Sequence, residues 1–192
     1  MSLLLVTGYP SCGKSTTVGR IQEFLSSKVK ETVIIREDAS KMEQRSFLRS
    51  SVQKCLNQNT IVICDCLNYI KGYRYELFLV AKQCKTTFAV LYCHAKESTC
   101  KWLNEQKEGT RYKEATISDL ISRYEKPDPR NRWDSPLYKV EIEKSEKPSS
   151  VDAPEDMNVD LEHRSPNFVD IPLTDIFSWM CEVTAVGSYN FT

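Results

Sequence analysis

The chain has 192 residues, with 26 basic and 26 acidic side chains and a formal net charge of zero. That length suits one domain with a sizeable core, and the charge balance excludes a global field drawing the protein to nucleic acid or membrane, so any RNA contact has to come from a local patch. The first apolar run is only a few residues long and has no basic flank, so it reads as a core strand and not a signal peptide. No segment approaches the ~18 continuous apolar residues of a membrane span. The expected location is the cytosol or nucleus.

In chain order, Leu3 to Thr7 is a short apolar strand. Gly8-Tyr9-Pro10-Ser11-Cys12-Gly13-Lys14-Ser15 follows as a complete G-x-x-x-x-G-K-S run, and the stretch from Thr16 to Leu25 reads as a helix. A phosphate-binding loop requires that order. Gly8 and Gly13 let the backbone curl until its N–H groups face an anion, and the helix adds the positive end of its dipole. Lys14 then reaches the β- and γ-phosphates of a nucleotide, and the Ser15 hydroxyl ligates Mg²⁺. A chance match of this pattern is expected in roughly one chain in a hundred of this length or fewer, before the strand and helix context is counted.

Beyond the loop, strand and helix patterns alternate. Thr32 to Arg36 is a second strand, and about Ser40 to Leu56 a helix. Thr60 to Asp65 is a third strand, Gly72 to Cys84 a helix, Thr86 to Cys93 a fourth strand, and Lys96 to Lys107 a helix. Continuous apolar strands separated by helices indicate a parallel sheet covered on both faces. The rhythm then breaks into a lid-like region over about 108–138, with a short helix from Ile117 to Glu125 and an extended basic segment from Lys126 to Asp134. About 144–166 is charged and rich in Ser and Pro, which predicts a disordered loop. Phe168 to Ile171 reads as a fifth strand, Leu173 to Cys181 as a last helix, and 183–192 as a tail.

The eight cysteines read as small buried thiols in a reducing compartment. Cys64-x-Cys66 is the only close pair and is taken to point to opposite faces of its strand. With His94 and His163 isolated as well, a cysteine metal site is rejected.

Asp65 sits at the end of an apolar strand, where the carboxylate partner of a phosphate loop belongs; a plain strand cap is the alternative. Asp38, just after the second strand, is either a base facing a phosphoryl acceptor or the N-cap of the helix near Ser40. Arg111, Arg123, Arg130 and Arg132 lie where a lid closes over nucleotide. As a group, with Trp133 buried among them, they are expected to contain one phosphate ligand, while most arginines of such a segment are solvated or salt-bridged. The polar, aromatic stretch from Leu67 to Glu76 lies at the carboxyl edge of the sheet, where open α/β folds bind ligands.

Three stretches resemble one family. They are Gly8-Tyr9-Pro10, the run Asp65-Cys66-Leu67-Asn68-Tyr69-Ile70-Lys71-Gly72-Tyr73-Arg74-Tyr75-Glu76, and Arg123-Tyr124-Glu125-Lys126-Pro127 with Arg130-Asn131-Arg132-Trp133-Asp134-Ser135-Pro136-Leu137. They are similar to the Elongator-associated P-loop ATPases, a family also described as chromatin-associated and related to the kinase that acts on seryl-tRNA for selenocysteine. The likeness runs from Met1 to about Tyr138 and resumes near Phe168 to Met180. It implies an ATPase that binds tRNA and supports Elongator in modifying wobble uridines. It also implies a nucleotide site of Lys14, Ser15, Asp38, Asp65 and a lid arginine such as Arg132. Members continue into a helical C-terminal domain that helps bind tRNA, whereas this sequence stops at Thr192 as a shortened form, a fragment or a divergent member. Weakened tRNA binding is therefore expected.

The combined expectation is one kinase-like, three-layer α/β/α domain over 1–182 with a five-stranded parallel sheet, acting as a monomer. Tyr9, Pro10, Ser11, Cys12, Gly13 and Thr16 line its ATP and Mg²⁺ site, Ser15 and Asp65 hold the metal, and Lys14, Asp38, Asp65 and Arg132 serve catalysis. A kinase acting on an aminoacyl-tRNA or a small hydroxyl compound, and a nucleotide-dependent scaffold without turnover, are the alternatives.

Overall fold

The computed structural model of the chain describes residues 2–28, 31–36, 44–56, 60–109, 111–144 and 167–182. Strand β1 (Ser2–Gly8) is buried along its whole length, because it lies at the centre of a sheet covered on both faces. Its side chains alternate between two cores. Leu3 and Leu5 join one apolar cluster and Leu4 and Val6 the other, the period-two consequence of a pleated strand. β2 (Thr32–Arg36), β3 (Ile61–Asp65) and β4 (Thr87–Ala95) follow the apolar runs closely.

The strand order is β2-β3-β1-β4-β5-β6. β1 runs parallel to both β3 and β4, so the order reverses beside it and leaves a crevice at the carboxyl ends of these strands. Helices cover both faces. α1 (Lys14–Ser26) presents Val18, Ile21 and Leu25 to the cluster of Leu4 and Val6. α4 (Glu97–Glu105) lies on the same side through Cys100. α2 (Gln44–Cys55) and α3 (Lys71–Gln83) cover the opposite face with Leu48, Val52, Leu77 and Val80. α5 (Glu114–Ser122) buries only Ile117. α6 (Leu173–Phe177) passes into a π-helical turn, Ser178–Glu182, and returns Ile176 and Met180 to the α1 side.

The three-layer α/β architecture is as expected, but the sheet has six strands and not five parallel ones. β5 (Leu137–Glu143) pairs in parallel with β4, across the end of the expected lid and the stretch 139–143 that precedes the expected loop. Its alternation was legible: Val140 and Ile142 point inward while Glu141 and Glu143 do not, the pattern of a half-buried strand. The strand at Asn167–Val169 is therefore the sixth, β6, and it runs antiparallel along β5 with Phe168 opposite Ile142.

A second correction concerns Cys64 and Cys66. Residues two apart on an extended strand share a face. Both thiols lie in the cluster of Ile35, Tyr73 and Leu77, with their sulfurs 3.7 Å apart. All eight cysteines are free, and among the described residues no group of three or more His, Cys, Asp or Glu side chains could hold a metal ion. No described helix is long and apolar enough to cross a membrane. The stretch 40–43 ahead of α2, most of the expected disordered loop (145–166) and the tail (183–192) lie outside the described residues.

Candidate functional site

The turn from β1 to α1 is built by two glycines for different reasons. A methyl on Gly8 would meet the Cys93 carbonyl oxygen at 2.5 Å and the Cys12 sulfur at 2.7 Å, so only glycine lets the loop pass this close to β4. Gly13, with φ 88° and ψ 14°, is the left-handed residue that opens α1. Among the described residues no side chain caps that helix, and its first turn carries no acid. Its N–H groups and positive dipole end thus remain available to an anion.

Lys14 lies at the start of α1, buried, with Nζ donating to the Tyr9 carbonyl at 2.6 Å and the Gly8 carbonyl at 3.3 Å. Its charge is held against the backbone of the loop itself. Ser15 and Thr16 are exposed on the same turn, whereas Pro10 and Cys12 are buried beneath it. The Cys12 thiol donates to the Cys93 carbonyl at 3.5 Å. Burial pushes its pKa up despite the nearby Lys14 charge, so it packs as a small hydrophobe.

Asp65 ends β3 opposite Val6 of β1, two residues before Gly8. Its carboxylate is almost fully buried and accepts from Arg36 Nε at 3.2 Å. Arg36 ends the neighbouring strand in register with Asp65. Sequence reasoning missed it, although a cation directly after the β-branched run at 32–35 was the available signal. Asp38 lies outside the described residues.

The expected lid divides into two kinds of residue. Arg123 pairs with Asp119, Arg130 with Asp128, and Arg111 donates to the Lys107 carbonyl, all at exposed positions. Arg132 is exposed on a single 3₁₀ turn, Arg132–Asp134, and among the described residues no hydrogen bond or ion pair joins it to the loop at 8–16. Trp133 is half-buried and meets Tyr75 edge-on at 5.3 Å.

The cation that organises this region is Arg74, from the aromatic stretch singled out above. It is fully buried on α3, with Nε 2.7 Å from the Asp134 carboxylate and Nη1 donating to the carbonyls of Asn68 and Glu125. The segment after α5 is thereby fastened to the carboxyl edge of the sheet. The amide of Asn68 reinforces that edge by donating to the carbonyls of Val6 and Cys64, at the ends of β1 and β3.

A phosphate loop after the central strand, a lysine at the helix start, a buried carboxylate on the adjacent strand and a mostly parallel three-layer sheet define a kinase-like P-loop NTPase fold with a nucleotide-binding loop. The sequence model of the family described as Chromatin associated protein KTI12 matches residues 1–183, and the chain belongs to that family. Protein KTI12 homolog of Xenopus laevis is 35% identical over 154 residues, covering 73% of this chain and 56% of its own. The structure of Chaetomium thermophilum Kti12 in complex with ADP-AlF3 superposes with a TM-score of 0.64 at 31% identity, covering 71% of this chain and 87% of that one. A gluconokinase from Sinorhizobium meliloti shares the fold at a TM-score of 0.55 and 18% identity, covering 73% of this chain and 82% of its own. The family resemblance carried by the three motif stretches is thereby borne out. The chain spans little more than half the length of the curated relatives it matches.

Proposed function

We propose that this chain binds ATP with Mg²⁺ on the loop at 8–16 and hydrolyses it, as an accessory of the Elongator complex in tRNA wobble-uridine modification. The observation that carries the nucleotide reading is the uncapped, acid-free start of α1 with Lys14 folded beside it. A triphosphate satisfies those N–H groups and draws Lys14 from the Gly8 and Tyr9 carbonyls onto the β- and γ-oxygens. The Chaetomium relative in complex with ADP-AlF3 supports that reading. Family membership supports the Elongator role, and the free thiols support a cytoplasmic or nuclear setting.

The donors present suit Mg²⁺. The Ser15 hydroxyl and the Asp65 carboxylate are hard oxygen ligands, and Mg²⁺ is commonly held by one or two protein groups together with phosphate oxygens. When bound, the ion neutralises charge developing on the phosphates. The protein's own share is electrostatic and geometric. Lys14 and the loop N–H groups stabilise the γ-phosphoryl as its bond to the ADP oxygen breaks. Asp65, fixed by Arg36, orients what stands opposite that bond.

Incubation of the chain with γ-labelled ATP and Mg²⁺, with and without tRNA, tests the reading. Free phosphate as the product, lost in Lys14→Ala and Asp65→Ala, supports it. Label transferred to RNA means a kinase, and turnover unchanged in both variants removes the site assignment. Partner function that survives Lys14→Ala alongside lost binding indicates a scaffold.

A further inference from the structure

We propose that Asn104 and Tyr124, one at each root of α5, are positioning residues that latch the phosphate loop in its anion-ready shape. The proposal rests on the reading of that loop as the nucleotide site. α5 itself contributes little to the core, since Ile117 is its only buried residue. The contacts at its two ends therefore decide how it is joined to the loop.

At the first root, Asn104 is 7% exposed near the end of α4. Its Nδ2 donates to the Tyr112 carbonyl at 2.9 Å, and its Oδ1 accepts from the Tyr112 N–H at 3.0 Å. The side-chain amide thus pairs with the Tyr112 backbone as a neighbouring strand would. This double contact fixes which end is oxygen, because a flipped amide would set donor against donor and acceptor against acceptor. The same Oδ1 accepts a third hydrogen bond, from the Ser11 hydroxyl at 3.1 Å.

Ser11 is the strained residue of the loop. Its φ of 53° lies in the left-handed region, which is unfavourable for a non-glycine residue. Left-handed residues within a tight turn bring successive N–H groups round to one side, making the concavity that receives a phosphate. The Asn104 contact is the side-chain interaction that holds Ser11 there. Asn104 therefore ties the loop's strained turn to the backbone that leads into α5.

At the second root, Tyr124 lies edge-on to Tyr9 of the loop, with ring centroids 4.9 Å apart, and is stacked with Tyr92 of β4 at 6.1 Å. Its hydroxyl is 3.1 Å from Thr7 Oγ1, immediately before Gly8. The Thr7 proton is directed at the carbonyls of Leu67 and Asn68, at 3.2 and 3.1 Å, which leaves the Tyr124 O–H as donor to Thr7. Residue 125 is then fastened to the body of the protein by its N–H on the Tyr69 carbonyl at 2.9 Å and its carbonyl on Arg74 Nη1 at 2.9 Å. Displacement of either end of α5 thus pulls on a residue of the phosphate loop.

The test is a double-mutant cycle on nucleotide affinity, read by titration of the whole chain with a fluorescent ADP, alongside the Tm of each variant. Asn104→Ala leaves Ser11 strained and unsupported, and one lost hydrogen bond of this kind corresponds to about a fivefold rise in Kd. In a Ser11→Gly background the left-handed turn no longer needs support. Asn104→Ala is then expected to leave Kd within about twofold while still lowering Tm through its lost Tyr112 contacts. A merely structural Asn104 would weaken binding equally in both backgrounds, and that result overturns the proposal. Tyr124→Phe keeps both ring contacts and removes only the bond to Thr7, so it serves even if Asn104→Ala does not fold. A Kd within twofold of the parent in Tyr124→Phe overturns the second latch. Binding that survives Lys14→Ala removes the nucleotide reading itself and the proposal with it.

Discussion

Replacing Arg74 by Met tests whether one buried ion pair carries the attachment of the post-α5 segment. Both side chains of the Arg74–Asp134 pair are fully inaccessible, and their shortest contact is 2.7 Å. The substitution keeps much of the aliphatic volume but leaves the Asp134 carboxylate buried without its cation. That carboxylate would keep only the Asp128 N–H at 3.1 Å and the Asn131 amide at 3.5 Å. It also takes the Arg74 donor from the Glu125 carbonyl and from the Asn68 carbonyl, which keeps the Thr7 hydroxyl. Breaking a buried pair from one side costs about 3–5 kcal/mol. In a domain of this size each kcal/mol lowers Tm by about 2–4 °C, so a fall of about 10 °C is expected. Urea unfolding monitored by circular dichroism measures the loss directly. Asp134→Leu added to Arg74→Met removes the stranded charge and should recover a good part of it, because an apolar replacement of a buried pair is often close to neutral. The Glu125 carbonyl still lacks its Arg74 donor, so recovery remains incomplete. A single variant within about 1 kcal/mol of the parent would show that water reaches the pair and that the segment is held by other contacts.

Three further outcomes follow from the same geometry. Gly8→Ala should destabilise more than Gly13→Ala, since its methyl strikes a backbone carbonyl at 2.5 Å whereas that of Gly13 meets only side chains at 3.4 Å. Gly13→Ala should cost about 1–2 kcal/mol, the strain of its left-handed φ, and equal losses in urea titrations would contradict this ranking. Burial pushes the Cys93 thiol up and that of Cys100 to about 12, and it raises Cys12 as well. These thiols stay neutral at pH 8, so iodoacetamide should reach half-buried Cys55 and Cys84 first, and mass spectrometry showing early labelling of Cys12 or Cys93 would refute their burial. Because the folded pKa values are raised, the thiols support stability below the ordinary value of 9.0 and lose that contribution as pH climbs through the folded values. Finally, Arg36→Ala strips the buried Asp65 carboxylate of its cation. Half-saturation of nucleotide binding by Mg²⁺ should then fall to lower concentrations, and an unchanged Mg²⁺ dependence would show that Asp65 does not hold the ion.

The sequence alone was enough to locate the phosphate loop and most of the sheet, because both are local signals. Gly8 and Gly13 answer to backbone conformation and close approach, which few other residues can meet. The runs at 3–6, 33–35 and 61–64 are apolar throughout, as strands packed between two helical layers require. The same locality explains the misreadings. β5 alternates apolar and charged residues, as a half-buried strand near a sheet edge does, a weaker signal than a continuous apolar run and one the expected five-strand count leaves out. Cys64 and Cys66 were assigned opposite faces although their spacing of two puts them on one.

Only the tertiary structure decided which polar residues meet at the loop and at the carboxyl edge of the sheet beside it. Arg74, Arg36 and Asn104 lie far in sequence from Asp134, Asp65 and Ser11, the residues they meet, and their neighbours do not specify those partners. Each is selected by what the folded chain buries. A guanidinium between α3 and the segment after α5 needs Asp134, a carboxylate at the end of β3 needs Arg36, and a strained Ser11 needs an acceptor from α4. A local motif can prescribe the shape of a phosphate loop, but the charges and hydrogen bonds that hold the shape come from residues brought together by folding.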